Sequence, residues 1–356
     1  MTKTKVGVLA LTATGCTLAE RIHTTLAADV TLILPEKFAA ASAAVTFKTG
    51  GFRSAFATAF GQYDCVICVM ATGIVVRQLA PLLQDKLSDP AVLVVDEQAH
   101  HVISLLAGHM GGANDWTVRL AEALASDPVI TTATDTEGVQ ALDVLARKYH
   151  GWYAEFKATT KRINGRLAAR QPVALWIDPV YRPHHPALTG FTVVDELAAR
   201  PDGVPLVVIS DRTDLPKLVD ATQLIPRVNV LGIGCRKDVT VGMMQAALTE
   251  FCQEQHLAWR SIAQLASIEK KAHEAGIHYL AETLNVPVTF YSAATLQTVA
   301  NHYPQSSFVT KTVGVGAVAE PAAEIASGVP VSGERFAAHE ITLALSRQQP
   351  WKDEEN

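Results

Sequence analysis

The sequence predicts an α/β fold with three parts: a three-layer α/β/α N-terminal domain with a mostly parallel sheet, a small middle module, and a second α/β C-terminal domain. Three observations lead there. A short apolar run, a glycine or threonine turn and a helical pattern follow one another repeatedly. Between about 150 and 225 basic and proline-rich stretches replace that alternation. It resumes at Ile225 and runs to about Gln348.

The N-terminal domain, 1–149, opens with "VGVLALTATG", a buried strand and turn ahead of the helical "CTLAERIHTTL". "DCVICVMATG" then precedes "IVVRQLAPLL", and "AVLVVDEQAHHVISLLAGHMGGAN" leads into "DWTVRLAEAL". "PVITTATDTEG" followed by "VQALDVLARKY" completes the block. Cys65 and Cys68 form a C-x-x-C, but strand positions three apart face opposite ways, so the spacing predicts buried core thiols. The middle module, 150–224, carries Lys157, Lys161, Arg162, Arg166 and Arg170 with no acid among them, then Pro172, Pro179, Pro183 and Pro186. In the C-terminal domain, 225–348, "VNVLGIGCRKD" precedes "VTVGMMQAALTEF" and "SFVTKTVGVGAVAE" precedes "PAAEIASG". The tail, 349–356, is polar and reads as frayed.

Composition narrows the function classes. The 356 residues are 49% apolar and 18% charged, enough chain for two or three domains with real cores. A net charge of −5 argues against a nucleic-acid or anionic-membrane partner. No apolar run reaches the roughly 20 residues of a bilayer span. The first apolar run breaks at Thr12, before a signal-type core develops, so a cytoplasmic protein is expected.

Ligands of open α/β sheets bind at the carboxyl ends of strands, so the glycine turns should share one edge. Gly108 to Gly112 offer closely spaced amides, and Asn114 or Asp115 can cap the next helix. His109 among them suits a general base, because an unperturbed imidazole titrates near pH 6.5. The plainer reading is a turn built for close packing, with His109 bonded to a backbone carbonyl. Asp96 and Glu97 end an apolar strand, where a carboxylate can orient a histidine or activate water. His100 and His101 diverge along a strand and no H-E-x-x-H occurs, so no protein metal site is expected. Arg236 and Lys237 directly after Gly234 suggest an anion-binding turn. Gly314-x-Gly316-x-x-Ala319 lacks the following βαβ unit that a dinucleotide fingerprint needs. Glu320, next to Pro321 at a helix start, is either a first-turn dipole partner or a site acid. Ser267 is expected to cap a helix on which Lys270 and Glu274 pair.

Seven segments, in order, carry a family resemblance. They are "MATGIVVRQLAPLLQDKLSDPAVLVVDE", "VISLLAGHMGGAN", "PVITTATD", "LGIGCRKD", "LASIEKKAHEAGI", "VPVTFY" and "VGVGAVAEPAA". The chain thereby resembles the CbiG family, the cobalt-precorrin-5A hydrolases of anaerobic cobalamin biosynthesis. The resemblance implies a hydrolase that opens the δ-lactone of a cobalt-containing, ring-contracted tetrapyrrole and releases acetaldehyde, leaving cobalt-precorrin-5B. Cobalt would belong to the substrate, so no protein-bound cofactor is expected. The expected catalytic pair is His109 as base, oriented or assisted by Glu97, with the Gly111 and Gly112 amides facing the oxyanion. Expected substrate-binding residues are Thr14, Gly15, Thr72, Gly73, Arg77, Gly111, Gly112, Asn114, Gly234, Arg236, Lys237, Gly314, Gly316 and Glu320. The expected partners are the corrinoid precursor and, by channelling, other cobalamin-pathway enzymes. Two rivals stand beside this reading: a non-catalytic corrinoid carrier and a nucleotide-dependent oxidoreductase.

Overall fold

A computed structural model describes residues 4–26, 28–38, 45–85, 88–133, 137–184, 188–331 and 333–348. Pro186 and the tail 349–356 lie outside the described residues. The chain forms two compact units, Met1–Val144 and Leu145–Asn356.

The first unit holds a seven-stranded sheet in the order β3-β2-β1-β4-β5-β6-β7. Its strands are β1 (Lys5–Ala10), β2 (Asp29–Pro35), β3 (Val45–Phe47), β4 (Cys65–Val69), β5 (Ala91–Val95), β6 (His101–Leu106) and β7 (Asp127–Val129). β1 to β5 run parallel, β6 runs antiparallel to β5, and β7 is parallel to β6. Residues of α1 (Ala13–Thr25) and α4 (Ala113–Leu124) join one buried cluster, and those of α2 (Phe52–Gln62) and α3 (Thr72–Leu79) join another. Alternate strand residues divide between the two: Val6, Cys65 and Leu93 on one side, Leu9, Cys68 and Val92 on the other. Both faces are covered, which is why the central strands read as unbroken apolar runs. The two thiols thus lie on opposite faces as core.

The second unit starts within α5 (Leu142–Lys148), followed by α6 (Phe156–Ala168). Its first sheet is wholly parallel, in the order β11-β10-β8-β9, from β8 (Ala174–Ile177), β9 (Thr192–Val193), β10 (Leu206–Ile209) and β11 (Ala221–Leu224). The second has the order β14-β13-β12-β16-β15. β12 (Asn229–Cys235), β13 (Ile262–Ile268) and β14 (Val288–Tyr291) are parallel; β16 (Ile341–Arg347) opposes β12, and β15 (Phe336–Ala338) opposes β16. α7 (Val241–Glu254) and α8 (Ala275–Leu284) share one core with this sheet. α9 (Ala293–Ala300), α10 (Ser307–Val313) and α11 (Ala319–Ser327) share the other. α11 lies so close to β12 that a Cβ on Gly232 would collide with the Ala319 carbonyl oxygen.

A buried carboxylate joins the two sheets of this unit. Asp211, 2% exposed just beyond β10, accepts hydrogen bonds at one oxygen from Arg347 Nη2 (2.8 Å) and Asn229 Nδ2 (2.8 Å). Asn229 also donates to Ser261 Oγ at 2.8 Å, and the Asp211 carbonyl accepts from the Ala258 amide at 2.7 Å. A buried charge is tolerated when it is paired and hydrogen-bonded in this way.

Candidate functional site

Parallel register fixes what shares an edge in the first unit. Ala10 pairs with Val69, and Val69 with Val95, so the turns after β1, β4 and β5 emerge together. Thr12 caps α1, its Oγ1 accepting from the Gly15 amide at 3.0 Å, and donates its own proton to Glu97 Oε1 at 2.5 Å. Thr14 and Gly15 lie in the first turn of α1; Thr72 and Gly73 open α3, with Arg77 Nη1 on the Gly73 carbonyl at 2.9 Å. Asp96 holds the turn into β6 by accepting from the amides of Gln98 (3.0 Å), His100 (3.2 Å) and His101 (2.7 Å). Burial pushes its carboxyl up, but those amides and the nearby His100 outweigh burial and hold it below its ordinary value. Five expected binding residues and Glu97 therefore share this edge.

His109 does not. β6 runs against β5, so the loop that follows β6 returns to the amino edge: Val95 pairs with Val102 but Val92 with Leu106. A Cβ on Gly111 would stand 3.2 Å from the Ala91 amide, at the start of β5. At about 3.3 Å per residue, the strand puts about 13 Å between that point and its carboxyl end, where Glu97 follows. Glu97 does not orient His109. Asp143, in the first turn of α5, does: His109 Nδ1 lies 3.1 Å from Asp143 Oδ2, with the side chains 13% and 8% exposed.

The glycines of this loop serve packing. A Cβ on Gly111 would sit 2.6 Å from Ala107 Cβ, and Gly112 takes the left-handed conformation at φ +79°. The Gly112 amide donates to the His109 carbonyl at 3.1 Å, so it is no oxyanion donor. Gly112 is the helix cap, which neither Asn114 nor Asp115 provides; Asp115 sits in the first turn of α4. Asn114 is buried, accepting from Ser104 Oγ (2.6 Å) and donating to Thr132 Oγ1 (3.1 Å), so it fastens the loop and does not face a ligand. The chemistry left is that of the imidazole, which the Asp143 carboxylate beside Nδ1 orients and supports as a base.

The second unit holds a cavity of about 720 Å³, within the roughly 300–1,000 Å³ of small-molecule sites. Gly234, Arg236 and Lys237 reach it from the carboxyl end of β12, and Gly316 and Glu320 from the start of α11. Of the C-terminal residues expected in the site, Gly314 alone does not line it. It ends α10 as a left-handed cap at φ +89°. Sequence reading missed Arg335, whose approach to Glu320 (3.8 Å) joins residues distant in the chain and has no local signature. Glu320 itself is 4% exposed. Arg236 pairs with Glu340 at 2.9 Å. Lys271, not Lys270, pairs with Glu274, at 2.7 Å. Ser267 caps no helix; it is buried in β13, donating to the Ile233 carbonyl at 2.7 Å. Burial pushes the Cys235 thiol at the rim up to about 11 against the pull of Lys271, so it is no nucleophile at neutral pH. The arrangement is a hollow with four cations, two of them held by carboxylates on its own wall, and it suits an acidic ligand.

Family models cover the chain in three stretches. Cobalamin synthesis G N-terminal matches residues 54–135, cobalamin biosynthesis central region 140–226, and cobalamin synthesis G C-terminus 229–346. A Salmonella typhimurium protein named cobalt-precorrin-5A hydrolase is 40% identical over 299 residues, covering 83% of this chain and 85% of its own. A Priestia megaterium protein of the same name is 29% identical over 291 residues, covering 79% and 77%. Among solved structures, a cobalamin biosynthesis protein G homolog from Sulfolobus solfataricus aligns over 96% of this chain and 97% of its own, with 22% identity and a TM-score of 0.40. CobE, a protein from the cobalamin biosynthetic pathway, aligns over 35% and 92%, with 29% identity and a TM-score of 0.32. On its sequence relatives, this chain belongs to the cobalamin synthesis G, or CbiG, family.

Proposed function

We propose that this chain is a cobalt-precorrin-5A hydrolase, opening the δ-lactone of the cobalt-containing corrinoid precursor and releasing acetaldehyde to leave cobalt-precorrin-5B. The observation that carries this is the 40% identity, over most of both chains, to the Salmonella typhimurium protein of that name. Relatives named as an enzyme also favour catalysis over a carrier role. Cobalt arrives as part of the substrate.

Each unit offers its own candidate site. In the second, the cavity lined by Arg236, Lys237 and Arg335 suits the carboxylate arms of the substrate. In the first, His109 is suited to activate water. The imidazole takes a proton as the water oxygen attacks the lactone carbonyl, and Asp143 stabilises the imidazolium that forms. The ring C–O bond breaks and its electron pair leaves as an alkoxide. The alkoxide collapses to the aldehyde, and the carbon–carbon bond pair passes to the macrocycle, which takes up a proton. A second base is favoured by one observation: Glu320 is a buried carboxylate on the wall of the cation-lined cavity.

Acetaldehyde release from the lactone substrate by H109A, D143N and E320Q separates these. A general base is worth roughly a hundredfold or more in kcat, so H109A loses that much while E320Q stays within a few-fold. The reverse pattern gives the role to Glu320, and near-native turnover in both ends the assignment.

No described helix is long and apolar enough to cross a membrane, and the first apolar run forms the buried strand β1. We further propose a cytoplasmic setting, with the intermediate handed on by channelling between pathway enzymes.

A further inference from the structure

At the other end of the five-stranded sheet, ahead of β12 and β13, lies a group of residues that the hydrolase reading does not use. Parallel register pairs Asn229 with Ile262, and the Val228 amide donates to the Ser261 carbonyl at 3.1 Å. Arg227 directly precedes Val228, and Arg260, in the 3-10 turn Trp259–Ser261, directly precedes Ser261, so this hydrogen bond brings together the segments that carry the two arginines. Burial first, then the Arg260 charge, holds Arg227 below its ordinary value.

Arg260 is held flat. Its guanidinium carbon lies 4.0 Å from the Trp152 ring centre and 4.4 Å from that of Trp259, and the two rings are 37% and 44% exposed. The backbone sets this clasp, since Trp152 exchanges both hydrogen bonds with Ile225, two residues before Arg227. Stacking occupies the faces of a guanidinium and leaves its in-plane N–H fork for a bidentate acceptor. Among the described residues no carboxylate pairs with Arg227 or Arg260. Arg227 Nη2 reaches only the Leu284 and Asn285 carbonyls, at 3.5 and 3.3 Å. Beside this pair opens a cavity of about 400 Å³ lined by Leu248, Leu257, Trp259, Leu280 and Leu284. Two uncompensated cations thus meet an apolar hollow, with Trp259 belonging to both.

We propose that Arg260, clasped by Trp152 and Trp259 and flanked by Arg227, binds the carboxylate of a ligand whose apolar body occupies the cavity beside Trp259. Either a separate small carboxylate or an arm of a tetrapyrrole has that chemistry. The test is titration of the whole protein with naphthalene-1-acetate, followed by calorimetry and tryptophan fluorescence. The wild type binds with an affinity that falls as salt is raised, and R260Q weakens it about tenfold or more, the scale of a lost charge-assisted pair. R227Q and W259L weaken it in the same direction, so the question survives if one variant fails to fold. K48Q, at an exposed lysine of the first unit, leaves it unchanged. Competition by the cobalt lactone identifies the carboxylate as the substrate's own; its absence identifies a separate ligand. Wild type that takes up no probe, or R260Q that binds as well as wild type, overturns the proposal. Either result leaves the hydrolase reading intact, since that rests on the sequence relatives and is tested by turnover.

Discussion

In the loop 107–114 the amides of Gly112, Ala113 and Asn114 turn inward onto the carbonyls of His109, Ala107 and Gly108. Around Gly234 the chain instead opens onto a hollow. Both stretches lie where a strand gives way to a helix. The direction of the strand and what presses on the glycine decide the difference. β6 runs backwards into a crowded corner against Ala91 and Ala107, whereas β12 runs forward to an edge where α11 has just cleared the sheet. A glycine in a turn marks either a backbone that something approaches closely or one left open for a ligand, and composition does not separate the two.

Substitution sharpens that contrast. The largest effect is expected for G232A, where the new methyl meets main chain: the Ala319 carbonyl oxygen collides with it and the carbonyl carbon lies 2.8 Å away. Overpacking against backbone costs about 3 kcal/mol or more, read as a lower midpoint in urea unfolding. G111A follows at about 1–3 kcal/mol, because its neighbours are Ala107 Cβ at 2.6 Å and the Ala107 carbonyl oxygen at 2.9 Å. G234A meets nothing nearer than Val318 Cβ at 3.6 Å, so its stability stays within about 0.5 kcal/mol of wild type. Equal losses at positions 111 and 234 would break the distinction.

The smallest effect concerns acid. Asp96 has a folded-state pKa below its unfolded value of about 3.9, so its contribution is present above that value and is lost as pH falls through the folded pKa. Exchange of the His101 amide, followed down a pH series below about 4, should quicken in the wild type and be pH-insensitive in D96N once intrinsic rates are removed.

Much of the fold was legible because periodicity reports burial. Cys65 and Cys68 alternate between two cores as their spacing requires, and strand–turn–helix units form at "VGVLALTATG", "DCVICVMATG" and "VNVLGIGCRKD". The run "SFVTKTV", read as another such unit, instead forms the helix α10, capped by Ser306. The direction of β6 was not legible. A turn as short as Asp96–His100 permits a reversal, but the apolar pattern of "VISLL" is the same read either way. That one reversal separated His109 from Glu97 and joined it to Asp143. In the second unit the rim residues Gly234, Arg236, Lys237, Gly316 and Glu320 did converge, since β12 leads to the rim and α11 packs against β12. Arg335 reaches the same hollow from the loop before an edge strand, through a contact that tertiary packing alone creates.

Asp211 carries a last consequence. Its charge is compensated by Asn229 and Arg347, both from a sheet other than the one it follows. Were the four-stranded layer to melt alone, those donors and the carboxylate would part company, and breaking such a pair costs about 3–5 kcal/mol. The stabilities of the two sheets are therefore linked through this one carboxylate, and pieces of the unit made separately would each inherit half of a broken pair.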